Sequence, residues 1–98
     1  MSKITQSARG KDCTIRIPTV CNQNSETVVL AHISGVRHGH GISQKVNDAF
    51  AAYACSNCHD AIDGRTLTQF RRAELKLMHL EGVIETQAQL INEGLIKV

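Results

Sequence analysis

The sequence predicts a single α+β domain in which a small β portion precedes a long C-terminal helix. β-branched residues cluster in the first third of the chain, and apolar residues recur every three or four positions in the last third. Two pairs of cysteines add a third observation, which predicts that a metal ion joins the parts. A chain of 98 residues forms one modest core, which a metal or a partner subunit would help to stabilise.

Charge and composition narrow the class of protein. The net charge is +2, and the 11 Lys and Arg residues are spread along the chain, so nucleic-acid binding is permitted but not demonstrated. No apolar run approaches the ~20 residues of a membrane span, and residues 1–10 lack the hydrophobic region of a secretory signal. We therefore expect a cytoplasmic protein without a membrane partner. In that compartment four cysteines more often bind a metal than form two disulfides, although a secreted disulfide scaffold is the alternative.

The first third of the chain contains the predicted strands. Residues 1–12 are polar and aperiodic, so we expect a basic arm that is either solvated or in contact with phosphate. Residues 14–17 alternate in polarity and predict a strand that ends in a turn at Pro18. Residues 27–33 form the strongest predicted strand, and His32 lies near its end.

A glycine-rich loop is predicted to follow. Residues 34–45 hold three of the seven glycines, and their R-H-G-H-G core places His38 and His40 where they could reach a ligand or simply face solvent. Asn47 or Asp48 is then expected to cap a short helix through residues 50–53, which leads to Cys55.

The remainder predicts a long helix over residues 66–93. Gly64 suits the end of a preceding helix, Thr66 and Gln69 have capping-box spacing, and Gly94 suits the final stop. Gly82 would cost about 1 kcal/mol inside a helix and marks a potential break. This helix is expected to pack on the β portion and could pair with another copy as a homodimer. Met78, Val83 and Leu90 broaden its apolar side beyond a narrow stripe. The predicted apolar stripe itself comprises Phe70, Ala73, Leu77, Leu80, Ile84 and Ile91.

The two cysteine pairs predict a structural Zn²⁺ site within residues 13–65. Its ligands would be Cys13, Cys21, Cys55 and Cys58. Such a closed tetrahedral site does no chemistry, but it contributes folding free energy and would fix the first turn against a helix start. A redox C-x2-C is the alternative, but it normally accompanies a βαβ context that this sequence lacks.

A second constellation predicts phosphodiester chemistry. His59 and Asp63 lie four residues apart and therefore share one helix face, which could hold a second metal. If the strand-end His32 faces that helix, its imidazole could take a proton from water while a divalent ion stabilises the phosphorus centre and the leaving oxygen. A lone strand histidine is otherwise usually a satisfied core residue, and His79 in the long helix is expected to be structural.

The order of these residues resembles that of a known nuclease superfamily. A strand histidine, a mid-chain Asn or Asp and a C-x2-C-H at a helix start resemble the HNH, or ββα-metal, nuclease superfamily. The whole chain resembles more closely the YbcO-like family of small prophage-encoded proteins, which are classed as nucleases. The matching motifs are A-R-G at residues 8–10, R-I-P and V-C-N around Cys21, L-A-H-I at 30–33, A-C-S-x-C-H-D-x-I-D at 54–63, L-E-G at 80–82 and E-G-x-I-K at 93–97.

The resemblance implies an endonuclease that hydrolyses DNA with Mg²⁺ or Mn²⁺ in a bacterial host. It implies His32 as general base, His59 as a ligand of the catalytic metal and Asp63 in the place of a second ligand. Asp48, or its neighbour Asn47, would stand where the superfamily's middle Asn orients the base or steadies the phosphate. Alternatively, Asp48 serves only as a helix cap, and Asp63 serves only as the ion-pair partner of Arg65.

One position departs from the superfamily pattern. Many members place a metal-binding Asp or His directly before the base, and this chain has Ala31 there. Water could complete the metal shell, His38 or His40 could reach it, or His32 could itself be a ligand in a protein that has lost activity.

Several partners are compatible with this sequence. Backbone phosphates of DNA could be contacted, with little sequence specificity, by Arg9, Lys11, Arg16, Arg37, Lys45, Arg65, Arg71 and Arg72. The alternative function is a non-catalytic zinc module that binds nucleic acid or a protein, such as a host or phage recombination factor.

Overall fold

The computed structural model describes residues 3–33 and 47–97. The predicted loop with His38 and His40 therefore lies outside the described residues. Helix α1, strands β1 and β2, and helices α2 and α3 follow one another, with 3₁₀ turns at Ser25–Thr27 and Asp48–Phe50. The predicted small α+β domain with a long C-terminal helix is confirmed. The elements are α1 (Lys3–Ser7), β1 (Val29–His32), β2 (Ala51–Ala54), α2 (Ser56–Ile62) and α3 (Arg72–Asn92).

The two strands form an antiparallel sheet. Val29 lies opposite Ala54 and His32 lies opposite Ala51. Every residue of β2 is buried, because α3 packs across this short strand. Burial on both faces removes the polar alternation that marks a half-exposed strand. The predicted helix through residues 50–53 is therefore wrong: only Asp48–Phe50 is helical, and a strand follows it.

Helix α3 is continuous through Gly82, so the predicted break is wrong. A Cβ on this residue would lie 3.0 Å from Ile15 Cγ1, 3.1 Å from Thr14 Oγ1 and 3.2 Å from Ala52 Cβ. The missing side chain thus allows α3 to approach both the N-terminal segment and β2. The close packing accounts for a glycine that helix propensity alone would disfavour.

The boundaries of α3 differ from the predicted ones at its start. The helix begins at Arg72 rather than at residue 66, and Glu74 Oε1 accepts a hydrogen bond from the backbone N–H of Arg71 at 2.9 Å. The predicted stops are confirmed: Gly64 (φ +81°) follows α2 and Gly94 (φ +76°) follows α3. Both adopt the left-handed conformation that glycine provides at helix ends.

The buried face of α3 is not the predicted stripe. Leu77, Ile84 and Ile91 are 60%, 66% and 39% exposed. The helix instead packs on the core through a face that mixes three aliphatic residues with histidine, glycine and threonine, which a hydrophobicity pattern does not rank highly. Its buried residues are Leu75, His79, Gly82, Val83, Thr86 and Leu90. None of the described helices is long and apolar enough to cross a membrane.

The N-terminal segment is packed against the domain. Ala8 is buried, the Ser7 hydroxyl lies 2.9 Å from the Tyr53 hydroxyl, and Lys11 Nζ lies 2.8 Å from Glu93 Oε2. Residues from within the predicted basic arm therefore contact both β2 and the end of α3.

Candidate metal centre and candidate active site

The four cysteines converge on one point. Their Sγ atoms all lie within 4.8 Å of one another, although they come from two distant parts of the chain. The Sγ atoms of Cys21 and Cys55 are 3.8 Å apart, and all four cysteines are free thiols, which contradicts the disulfide alternative. A tetrahedron with Zn–S bonds of ~2.3 Å has sulfur–sulfur edges of about 3.8 Å. The donor set therefore suits zinc in both chemistry and spacing.

The predicted strand at residues 14–17 is wrong, because the backbone there is bent around the sulfurs. Arg16 (φ 49°), Thr19 (φ 65°) and Gln23 (φ 55°) adopt left-handed conformations, each costing a non-glycine residue about 1–3 kcal/mol in an uncompensated setting. The bend points the N–H of Arg16 at Cys13 Sγ at 3.4 Å. Backbone donors of this kind stabilise thiolates, so the local strain supports metal ligation.

Helix α2 starts at the same cluster. Cys55 is its N-cap, and its Sγ accepts a hydrogen bond from the Cys58 N–H at 3.4 Å. A hydrogen bond from the Cys58 thiol lowers the pKa of Cys13 to about 4 and raises the pKa of Cys58 itself, whereas burial raises the pKa of Cys21. The lowered pKa of Cys13 favours its thiolate, the form in which cysteine binds metal.

His32 is paired with Asp48 across the site. His32 Nε2 lies 2.7 Å from Asp48 Oδ1, although the two residues are sixteen positions apart. If Nε2–H donates to the carboxylate, the lone pair of the ring stays on Nδ1, where it can accept a proton. This arrangement is that of a base and its orienting carboxylate.

The structure separates the roles of Asn47 and Asp48. Asn47 is the N-cap of the 3₁₀ turn, since its Oδ1 accepts the N–H of Ala49 at 2.8 Å. Gln87 Nε2 on α3 donates to the Ala49 carbonyl at 2.7 Å and fixes the turn from the other side. Asp48 does not provide the cap and instead bonds to His32.

Thr5 is a site contact that sequence reasoning missed. Its Oγ1 donates to Asp48 Oδ2 at 3.1 Å, on the oxygen that does not contact His32. The signal was weak because Thr5 belongs to a five-residue helix in a segment without hydrophobic periodicity.

His59 and Asp63 lie together on α2, as their spacing predicts. His59 Nε2 is 3.7 Å from Asp63 Oδ2. One ion with bonds of ~2.0–2.2 Å can join ligand atoms up to about 4.4 Å apart, so the pair fits a divalent cation. Arg65 also lies 3.7 Å from Asp63 Oδ2, and a bound cation would displace it.

His79 on α3 interacts with the end of β1 and is influenced by the His59–Asp63 pair. Its Nε2 lies 2.7 Å from the carbonyl oxygen of Ala31, the residue before His32. Burial lowers the pKa of His79, while the charge of Asp63 raises it and those of His59 and His32 lower it. The strand-end histidine and the His59–Asp63 pair thus both influence one buried imidazole. In residues 3–33 and 47–97, only the four cysteines bring three or more ligand atoms within 4.8 Å, so the α2 pair would share its ion with water or substrate oxygens.

Comparisons with known proteins identify the family. The family model described as "Putative nuclease YbcO" matches residues 2–95. The chain belongs to the YbcO family. It is 46% identical over 100 residues to "Putative nuclease YbcO" of Escherichia coli (strain K12) and to "Putative nuclease ybcO" of Enterobacteria phage 82, with 99% of each chain covered in both comparisons.

A solved structure is also similar. "Structure of a putative bacteriophage protein from Escherichia coli str. K-12 substr. MG1655" superposes with a TM-score of 0.77 at 44% identity. The match covers 92% of this chain and 98% of the other. The architecture described here is therefore shared with that Escherichia coli protein.

Proposed function

We propose that this YbcO-family protein is a metal-dependent endonuclease that hydrolyses DNA phosphodiester bonds. The observation that carries the proposal is the 2.7 Å contact between His32 and Asp48 at the end of β1. Helix α2, which contacts β1, carries His59 and is followed by Asp63. The family name and the names of the curated relatives support a nuclease role.

The base in this proposal is His32. Asp48 holds its Nε2–H, so Nδ1 accepts the proton of an attacking water. The side chain of His32 is 36% exposed, which leaves room for water and for a phosphate group. The carboxylate stabilises the imidazolium that forms, as orienting carboxylates do in other histidine-based sites.

The second half of the proposed site is the His59–Asp63 pair. These two side chains would hold Mg²⁺ or Mn²⁺, which supplies charge stabilisation at the phosphorus centre and the departing oxygen. Asp63 gains a new partner in place of Arg65, whose guanidinium is then free to contact phosphate.

The order β1, β2, α2 supports assignment to the HNH, or ββα-metal, superfamily. A structural zinc ion on the four cysteines would join the start of α2 to the N-terminal segment and so fix the helix that carries His59 and Asp63. Zinc would then affect the nuclease activity only by holding α2 in position.

Exposed arginines near the end of α2 would bind DNA. Arg65, Arg71 and Arg72 are exposed, and Arg72 Nη1 donates to the Ile62 carbonyl at 2.9 Å. By contrast, Arg16 is paired with Glu85 on α3, and Lys11 is paired with Glu93, the residue that follows α3. We expect backbone contacts with little sequence preference.

A matched pair of carboxylates on α2 tests the metal half of the proposal. Asp63→Ala should abolish nicking of supercoiled plasmid with Mg²⁺ or Mn²⁺, and it should weaken Mn²⁺ binding measured by electron paramagnetic resonance. Asp60→Ala removes a carboxylate from the same helix that pairs with Arg65 but is not placed with His59, so it should retain both properties. Equal activity in the two variants would contradict the assignment.

The second candidate function is a non-catalytic zinc module that binds DNA or a protein such as a host or phage recombination factor. The Arg65–Asp63 pair favours it, because a guanidinium already neutralises the proposed metal ligand. Gel-shift binding without nicking under any divalent ion would support this alternative.

The exposed apolar face of α3 favours a homodimer in which a second copy of the chain is the partner. Leu77, Ile84 and Ile91 are spaced seven residues apart, which places them in one line along the helix. An antiparallel copy centred on Ile84 would set Leu77 against Ile91. Light scattering should give twice the chain mass for the wild type and a monomer for Ile84→Glu; a monomeric wild type at high concentration would exclude the dimer.

A further inference from the structure

We propose that Thr5, in the N-terminal helix, is a positioning residue that holds Asp48 and through it the His32 base. The inference deepens the proposed nuclease function and rests on it. It follows from the chain of contacts Thr5 Oγ1 to Asp48 Oδ2 at 3.1 Å and Asp48 Oδ1 to His32 Nε2 at 2.7 Å.

The two contacts use different oxygens of one carboxylate. A carboxylate held at a single oxygen can rotate about its terminal torsion, which is broad and has no sharp rotamer minimum. A second donor on Oδ2 fixes the plane of the group and keeps Oδ1 directed at the ring. Thr5 therefore selects the orientation of Asp48 in which the His32 Nε2–H is bound and Nδ1 is left for the proton.

Thr5 is itself held by the packing of its segment. Ser7 bonds to the hydroxyl of the buried Tyr53 on β2, Ala8 is buried, and Lys11 pairs with Glu93. The Ser7 hydroxyl lies 2.6 Å from the Ile4 carbonyl, which closes the short helix onto itself. The Thr5 hydroxyl thus belongs to a helix that is packed against the domain.

The backbone of Asp48 is fixed independently of Thr5. The Asn47 cap and the bond from Gln87 to Ala49 hold the 3₁₀ turn from the chain and from α3. Removal of the Thr5 hydroxyl should therefore leave the turn in place and remove one hydrogen-bond donor from Oδ2 of the carboxylate. A defect would report on side-chain orientation and not on unfolding of the site.

The test compares Thr5→Val, which is nearly isosteric and lacks the hydroxyl, with Thr5→Ser, which keeps it. Ser7→Ala is the matched control, because it removes a different tether of the same helix. The ring-nitrogen resonances of His32 at pH 8, assigned with His32→Ala, report the tautomer; plasmid nicking with Mg²⁺ or Mn²⁺ reports the rate.

Thr5→Val should increase the fraction of the Nδ1–H tautomer and slow nicking by roughly 2- to 10-fold, the range expected for one lost hydrogen bond. Thr5→Ser should resemble the wild type, and Ser7→Ala, which leaves the burial of Ala8 and the Lys11–Glu93 pair in place, should have a smaller effect than Thr5→Val. An unchanged His32 tautomer in Thr5→Val would overturn the proposal, as would an equal change in Ser7→Ala. If the wild type does not nick DNA, the nuclease assignment fails, and the tautomer measurement alone still decides whether Thr5 positions Asp48 and His32.

Discussion

His79 on α3 is hydrogen-bonded to the carbonyl of Ala31, with 2.7 Å between Nε2 and oxygen. The bond ties the long helix to the residue that precedes the proposed base. It also requires the ring to carry its proton on Nε2, and Nδ1 makes no hydrogen bond to any described residue. His79 is therefore a buried imidazole that links α3 to the strand end.

The burial of His79 predicts a pH-dependent stability. Burial lowers its pKa below the ordinary value of ~6.5, so the unfolded chain takes up a proton as the pH falls through that value while the folded chain resists it. The free energy of unfolding should therefore decrease from pH 7.5 to pH 5.5. Urea denaturation of zinc-loaded protein measures the slope.

His79→Gln is the control for that slope, because its amide can still donate to the Ala31 carbonyl but does not titrate. The cysteines also contribute a pH-dependent term to the free energy of unfolding. Subtracting the values of the two proteins at each pH cancels that term. Identical pH dependence in both would show that His79 is not responsible.

Removal of zinc should unfold the domain. Zinc binding in small domains supplies about 10–16 kcal/mol of apparent free energy, which matches or exceeds the ~5–15 kcal/mol stability of a typical domain. A strong chelator or Cys58→Ser should therefore abolish the cooperative thermal transition, and metal analysis should find about one zinc ion per wild-type chain. A sharp transition in metal-free protein would show that the four cysteines hold no essential ion.

Gly82→Ala should destabilise the protein although alanine favours helices. The added methyl group would meet Ile15, Thr14 and Ala52 at 3.0–3.2 Å, and overpacking of this kind costs about 1–3 kcal/mol. This cost matches or exceeds the gain in helix propensity of about 1 kcal/mol, so a net loss of up to about 2 kcal/mol is expected in urea denaturation. Ala88→Gly, at an exposed position of the same helix, calibrates the propensity term; a Gly82→Ala protein more stable than wild type would contradict the packing argument.

Much of the candidate site was predictable because cysteine, histidine and aspartate at these spacings are typical of metal ligands and of groups that transfer protons. The cysteine pairs, the four-residue spacing of His59 and Asp63, and the strand-end position of His32 all follow from ligand chemistry and local geometry. Their positions agree with the structure, whereas their catalytic roles remain predictions. The same holds for the glycine stops at Gly64 and Gly94, where a positive φ is required.

The errors occur where tertiary packing outweighs the local pattern. The buried A-A-Y-A strand has no alternation, and the bend at Arg16 forms around the cysteine cluster rather than a sheet. Helix α3 buries Thr86, which bonds to the Tyr53 N–H at 3.0 Å, and leaves Ile84 exposed. Polar contacts of this kind, like that of Thr5 with Asp48, join residues far apart in sequence and leave no periodic signal.

The central claim is that His32 is the base of a DNA-cleaving site that is structurally separate from the zinc ion. The most direct measurement is the rate at which zinc-loaded His32→Ala converts supercoiled plasmid to nicked circles in Mg²⁺ or Mn²⁺, beside the wild type. We expect the wild type to nick the plasmid and the variant to have lost that activity while its zinc content and thermal transition are unchanged. Equal nicking by the two proteins would contradict the account.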